Sequence, residues 1–162
     1  MSLQHVVVIG GSSGIGLATA KLLLKQGYTV TIAGRDGEKL AAAKASLDGD
    51  LRSVVLDAME LSTLGEAFAA IGAFGHLVLA MGSGHGAGAF ATLDMTDLLA
   101  GFQTKLIPHA AAAQAALPLL QPGGRASPSF RRSARRLRCL ARLGLRPSMP
   151  ASRRSCRCLP PN

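Results

Sequence analysis

Aromatic residues are scarce in this sequence: tryptophan is absent and tyrosine occurs once, at Tyr28. Chemistry that needs a phenol therefore has one candidate, and base stacking has few rings to work with. No uninterrupted apolar stretch reaches the ~18 residues of a membrane-spanning helix, and the N-terminus has no basic segment leading into an apolar run. The expectation is a chain without a membrane span, working in the cytoplasm. Cysteine is missing from the first 138 residues, so no disulfide framework organises that part.

Acid is missing too, but only from one end. Residues 125–162 hold eleven arginines, no lysine and no Asp or Glu, whereas residues 1–124 hold seven basic residues against nine acidic ones. All three cysteines (Cys139, Cys156 and Cys158) and five of the eight prolines also lie beyond Gly124. Two compositions share one chain, which divides it into 1–124 and 125–162.

What is present begins at Val6. Three valines and an isoleucine run into G-G-S-S-G-I-G, and a helical pattern follows at once. That order is strand, phosphate-binding turn, helix. A phosphate approaches backbone closely only where side chains are absent; free N–H groups and the positive end of a helix then hold the anion. Gly10, Gly14 and Gly16 are spaced G-x-x-x-G-x-G rather than as the general G-x-G-x-x-G dinucleotide fingerprint.

This spacing, with the G-x-S-S-G-I-G reading, resembles the short-chain dehydrogenase/reductase family. The residue before the first glycine, usually Thr there, is Ile9 here. The resemblance implies a Rossmann-type fold and a dinucleotide held by Gly10, Ser12, Ser13, Gly14, Ile15 and Gly16. Residues 15–26 read as the first helix, with Ile15, Ala18 and Leu22 on one face, and residues 28–33 as strand two. Arg35 follows that strand. A carboxylate there would bind the ribose hydroxyls of NAD, while a guanidinium pairs with the 2′-phosphate of NADP. NADP(H) is therefore expected over NAD(H), with Asp36 read as the N-cap of a helix over residues 37–47.

Residues 52–56 read as strand three, closed by Asp57. The resemblance gives Asp57 the exocyclic amine of adenine; a turn or cap role is open beside it, since a carboxylate has two acceptor oxygens. Leu61, Leu64, Phe68 and Ile71 mark helix three, and residues 76–80 a buried parallel strand four. The expected architecture is a doubly wound parallel α/β sheet of about four strands, order 3-2-1-4, with the cofactor across the carboxyl ends. Where the family reads N-N-A-G, this chain has Leu79, Ala80, Met81 and Gly82; Ala80 and Gly82 complete the expected cofactor-binding set. The glycine-rich run after it reads as a mobile loop, and His85 within it as a solvated histidine. Residues 92–120 carry the longest helical pattern, which Pro108 should bend or interrupt. In the family this helix carries N-x-x-G and builds a dimer interface; Lys105 and Pro108 stand at the Asn and Gly positions.

The family's catalytic pair is Tyr-x-x-x-Lys, in which lysine lowers the tyrosine pKa and the phenol passes a proton while hydride moves. Four positions after Tyr28 stands Ile32, and no serine beyond Gly124 has a recognisable strand-five context. No catalytic residue is assigned, so the chain is expected to bind cofactor without turning over an alcohol or carbonyl substrate. Losing strand five would expose strand four as an edge, with marginal stability or aggregation as the expected result. The tail admits three readings. A frameshift in GC-rich coding DNA comes first, since the composition breaks where a strand should begin. A nucleic-acid or anionic-surface segment comes second, with Phe130, Ala134, Leu137 and Ala141 along one side of a basic helix. Metal binding comes third, because three cysteines fall one ligand short of a closed zinc site.

Overall fold

The computed structural model describes residues 4–82 and 84–128. Five strands, β1 (His5–Ile9), β2 (Thr29–Gly34), β3 (Leu51–Val55), β4 (Phe74–Leu79) and β5 (Leu120–Pro128), form one parallel sheet in the order β3-β2-β1-β4-β5. Helices α1 (Gly14–Lys25), α2 (Gly37–Ala45), α3 (Leu64–Ile71), α4 (Met95–Gly101) and α5 (Ile107–Ala116) connect them. β1 is central: Ile9 lies opposite Ala33 on one side and Leu79 on the other.

A central strand is covered on both faces, which is why residues 6–9 are apolar without alternation. Val7 and Ile9 pack with Leu64 and Phe68 of α3 and with Ala112 and Ala116 of α5. Val6 and Val8 pack with Val30, Ile32, Ala20 of α1, and Leu40 and Ala43 of α2. None of the described helices is long and apolar enough to cross a membrane.

Three features depart from the sequence expectation. The order 3-2-1-4 holds, but a fifth strand lies beside β4, so β4 is not an edge and the expected cost of exposing it does not arise. β5 forms without β-branched residues: backbone pairing to β4 holds it, and Pro is tolerated on an edge strand. Its residues Arg125 to Pro128 pair with His76 to Leu79 after a register irregularity. β5 also brings Ser127 into a strand-five position opposite Val78, where the sequence suggested no such context.

α1 is rotated relative to the face marked by Ile15, Ala18 and Leu22. Ile15 is 74% and Leu22 57% exposed, and Gly16 and Ala20 are the buried positions. Close approach of Gly16 to the backbone of Gly10 and Gly11 sets that rotation, and two small residues at this spacing let the helix lie against the sheet.

The helical pattern over residues 92–120 falls into more pieces than one bend or break at Pro108 would give: a short 3-10 turn, α4, a π-helical turn (Phe102–Leu106), α5 and a second 3-10 turn (Leu117–Leu119). Pro108 brings no N–H and its ring crowds the preceding turn. The helix widens just before it, and the Ile107 N–H reaches back five residues to the Phe102 carbonyl.

Candidate functional site

The carboxyl ends of β1, β2 and β4 converge on Gly10. Its N–H donates to the Ala33 carbonyl at 2.8 Å, that of Gly11 to the same oxygen at 3.2 Å, and the Ala80 N–H donates to the Ile9 carbonyl at 2.8 Å. The turn is thereby tied to both neighbouring strands. Gly10 has φ +81°, and a Cβ there would stand 2.9 Å from the Ala80 carbonyl carbon and oxygen. A Cβ on Gly16 would run into the Gly10 carbonyl oxygen. Only glycine fits these two places, and their bare backbone leaves the N-terminus of α1 open.

Ser13 is the N-cap of α1, yet its side chain makes no capping hydrogen bond, and no acidic residue stands in the first turn. The first amides of a helix have no partner within it. Among the described residues neither a capping hydroxyl nor a first-turn carboxylate neutralises them, so they and the helix dipole are available to an anion. Ser12 is half-buried; its Oγ lies 3.5 Å from where a Gly34 Cβ would stand, while Ser13, Gly14 and Ile15 are exposed.

At the end of β2, Arg35 is exposed. Asp36 caps α2: one carboxylate oxygen accepts from the Lys39 N–H at 3.0 Å, and the other pairs with Lys39 Nζ at 3.1 Å. The Lys39 amide, and then its ammonium, hold the Asp36 carboxyl below its ordinary range. The N-cap expectation for Asp36 is met. Asp57 is half-buried after β3, and its Oδ1 accepts from the Met59 N–H at 2.9 Å, a turn-closing bond.

Ala80 thus lines the switch point, and Gly82 follows it with nothing within 4 Å of a Cβ position. Tyr28 directly precedes β2, its ring 6.5 Å from that of His76. This is the amino end of the sheet, opposite the Gly10 turn. Lys105 lies in the π-helical turn, and its carbonyl accepts from His109 Nδ1 at 2.6 Å.

The glycine-rich run is tied to α4 at His85 and Gly86. His85 Nδ1 lies 2.9 Å from Asp97 Oδ1, and the Gly86 N–H donates to Asp97 Oδ2 at 2.7 Å. His85 does have a carboxylate partner, twelve residues away on α4. No helical or strand period links the two positions, so the sequence held no signal for the pair. The three cysteines and residues 130–141 of the proposed basic helix lie outside the described residues.

The model of the short chain dehydrogenase family matches residues 4–127. An oxidoreductase of Sarocladium schorii, asL5, is 36% identical over 127 residues, which are 75% of this chain and 50% of that protein. The 3-dehydrosphinganine reductase TSC10B of Arabidopsis thaliana is 49% identical over 47 residues, 29% of this chain and 14% of that one. Among solved structures, an NADPH-bound short chain oxidoreductase of Pseudomonas aeruginosa PAO1 with an atypical catalytic center matches with TM-score 0.69 and 31% identity. It covers 76% of this chain and 52% of that one. The chain spans about half the length of the first of these relatives.

Proposed function

The chain belongs to the short-chain dehydrogenase family, and on that premise we propose that it binds NADP(H) in preference to NAD(H). The observation that carries this reading is the side-chain arrangement after β2. Asp36 has both oxygens committed to Lys39, which leaves Arg35 to meet the ribose, and a guanidinium there suits a 2′-phosphate. The uncapped N-terminus of α1 and the bare backbone at Gly10 and Gly16 suit the pyrophosphate. Ser12, Ser13, Gly14 and Ile15 complete that cradle. Asp57 takes the adenine amine with its second carboxylate oxygen, and Ala80 and Gly82 line the path toward the nicotinamide.

When bound, the cofactor supplies a hydride for carbonyl reduction, or accepts one in alcohol oxidation. The chain's own residues bind and orient it, but the proton-transfer pair of the family is not among them, since the only tyrosine is at the far end of the sheet. We therefore assign cofactor binding without turnover to these 162 residues, and alcohol or carbonyl chemistry to the family pattern they share.

Fluorescence titration with NADPH and NADH tests the first part. NADPH is expected to bind more tightly, and Arg35→Ala to weaken NADPH about tenfold or more, the equivalent of one charge-assisted contact, while leaving NADH unchanged. Equal affinities unaffected by Arg35→Ala would overturn it. For the second part, NADPH oxidation with a panel of aldehydes and ketones should stay at background; turnover would show that another residue supplies the proton.

A further inference from the structure

Asp97 spends its whole carboxylate on one loop. Oδ1 holds the His85 imidazole at Nδ1, and Oδ2 accepts from the Gly86 backbone. The His85 bond, and after it the Gly86 amide, keep the Asp97 carboxyl below its ordinary range. Two further constraints converge on the same place. Gly86 has φ +71°, a conformation side chains resist. A Cβ on Gly101, one helical turn after Asp97, would stand 3.0 Å from the His85 carbonyl oxygen and 3.2 Å from the Gly86 Cα. Backbone therefore lies on backbone, glycine against glycine, with the carboxylate bridging loop to helix beside them.

This loop follows β4, whose end at Ala80 lies against Gly10. The segment thus continues the chain from the carboxyl end of β4. We infer that Asp97 is a positioning residue that clasps the His85–Gly86 segment onto α4, making the loop a fixed wall of the dinucleotide crevice instead of a flap. The inference rests on the cofactor reading for what the wall encloses. A preset wall lowers the ordering cost of binding; a freed one has to be ordered by the ligand.

The test uses the full chain with Asp97→Ala, Gly101→Ala and Asp97→Asn. Two readouts need no nucleotide: the ring ¹⁵N shifts of His85, and amide exchange of Gly86 compared with Gly84. A third is NADPH titration. In the wild type, Nδ1 should carry the proton and the Gly86 amide should exchange more slowly than that of Gly84. Asp97→Ala should abolish the ring signature, speed Gly86 exchange at least about tenfold and weaken NADPH by about three- to tenfold. Gly101→Ala should loosen Gly86 and weaken NADPH with the carboxylate intact. Asp97→Asn, which keeps one acceptor oxygen, should fall between wild type and alanine. Unchanged ring shifts and exchange in Asp97→Ala would overturn the clasp, and a loosened loop with unaltered NADPH affinity would overturn its role as a wall of the crevice. A wild type that shows both nucleotide-free signatures yet binds no NADPH would support the clasp and overturn the cofactor reading, so the two failures are distinguishable.

Discussion

At His109 the chain carries an imidazole into the interior. The residue is 6% exposed, its Nδ1 donates to the Lys105 carbonyl, and its Nε2 has no partner among the described residues. Burial pushes its pKa below the ordinary histidine value, more than the Lys105 carbonyl raises it. The sign follows directly. The unfolded chain takes up the proton near pH 6.5 and the folded chain resists it, so stability is full above that value and falls as pH drops toward the depressed folded pKa. Urea unfolding should therefore give lower stability at pH 5 than at pH 8, and His109→Leu should flatten that difference. The carboxylates whose pKa values are lowered, Asp36, Asp94 and Asp97, titrate below this window. A second residue-scale prediction concerns Gly16→Ala: the added methyl meets the Gly10 carbonyl, so the variant should lose about 1–3 kcal/mol in a denaturant melt, as overpacked sites do.

Each helix is held by a few side chains. In α3, Phe68 is fully buried and its ring centroid lies 6.0 Å from that of Phe74 on β4; Phe68→Ala should cost about 3–5 kcal/mol, read from the shift of the urea midpoint. Where residue type alone decides an element, the sequence was legible. β1, the Asp36 cap and the buried Leu64 and Phe68 all follow from apolar runs, a capping carboxylate and helical spacing. Where a distant contact decides, it was not. The rotation of α1 depends on the Gly10 carbonyl, β5 depends on backbone pairing with β4, and Asp97 meets His85 only because α4 folds back on the loop. The π-helical turn lies between these cases: Pro108 announced a disturbance without specifying a widened turn. Of the candidate site, the glycine cradle was legible as a motif, while the commitment of Asp36 to Lys39 and the absence of a side-chain cap on α1 needed geometry.

For the whole molecule, α4 and the π-helical turn present Met95, Leu99, Phe102 and Leu106, all exposed, at intervals of four, three and four residues. Such a stripe on a protein surface favours self-association. Sedimentation velocity should show concentration-dependent association that the double substitution Leu99→Lys with Leu106→Lys reduces; a wild type that stays monomeric across the concentration range would refute this. The position of β1 between β2 and β4 has a consequence for synthesis. β1 leaves the ribosome well before β4, yet one of its two flanks pairs only with residues 76–79. Until those emerge, half of the backbone groups of the innermost strand have no strand to meet, and the nascent chain carries its most apolar segment with an open side. Long-range parallel pairing of this kind is slow to form. A nucleotide bound as proposed would not speed it, because the junction of β1 and β4 forms only once β4 has docked.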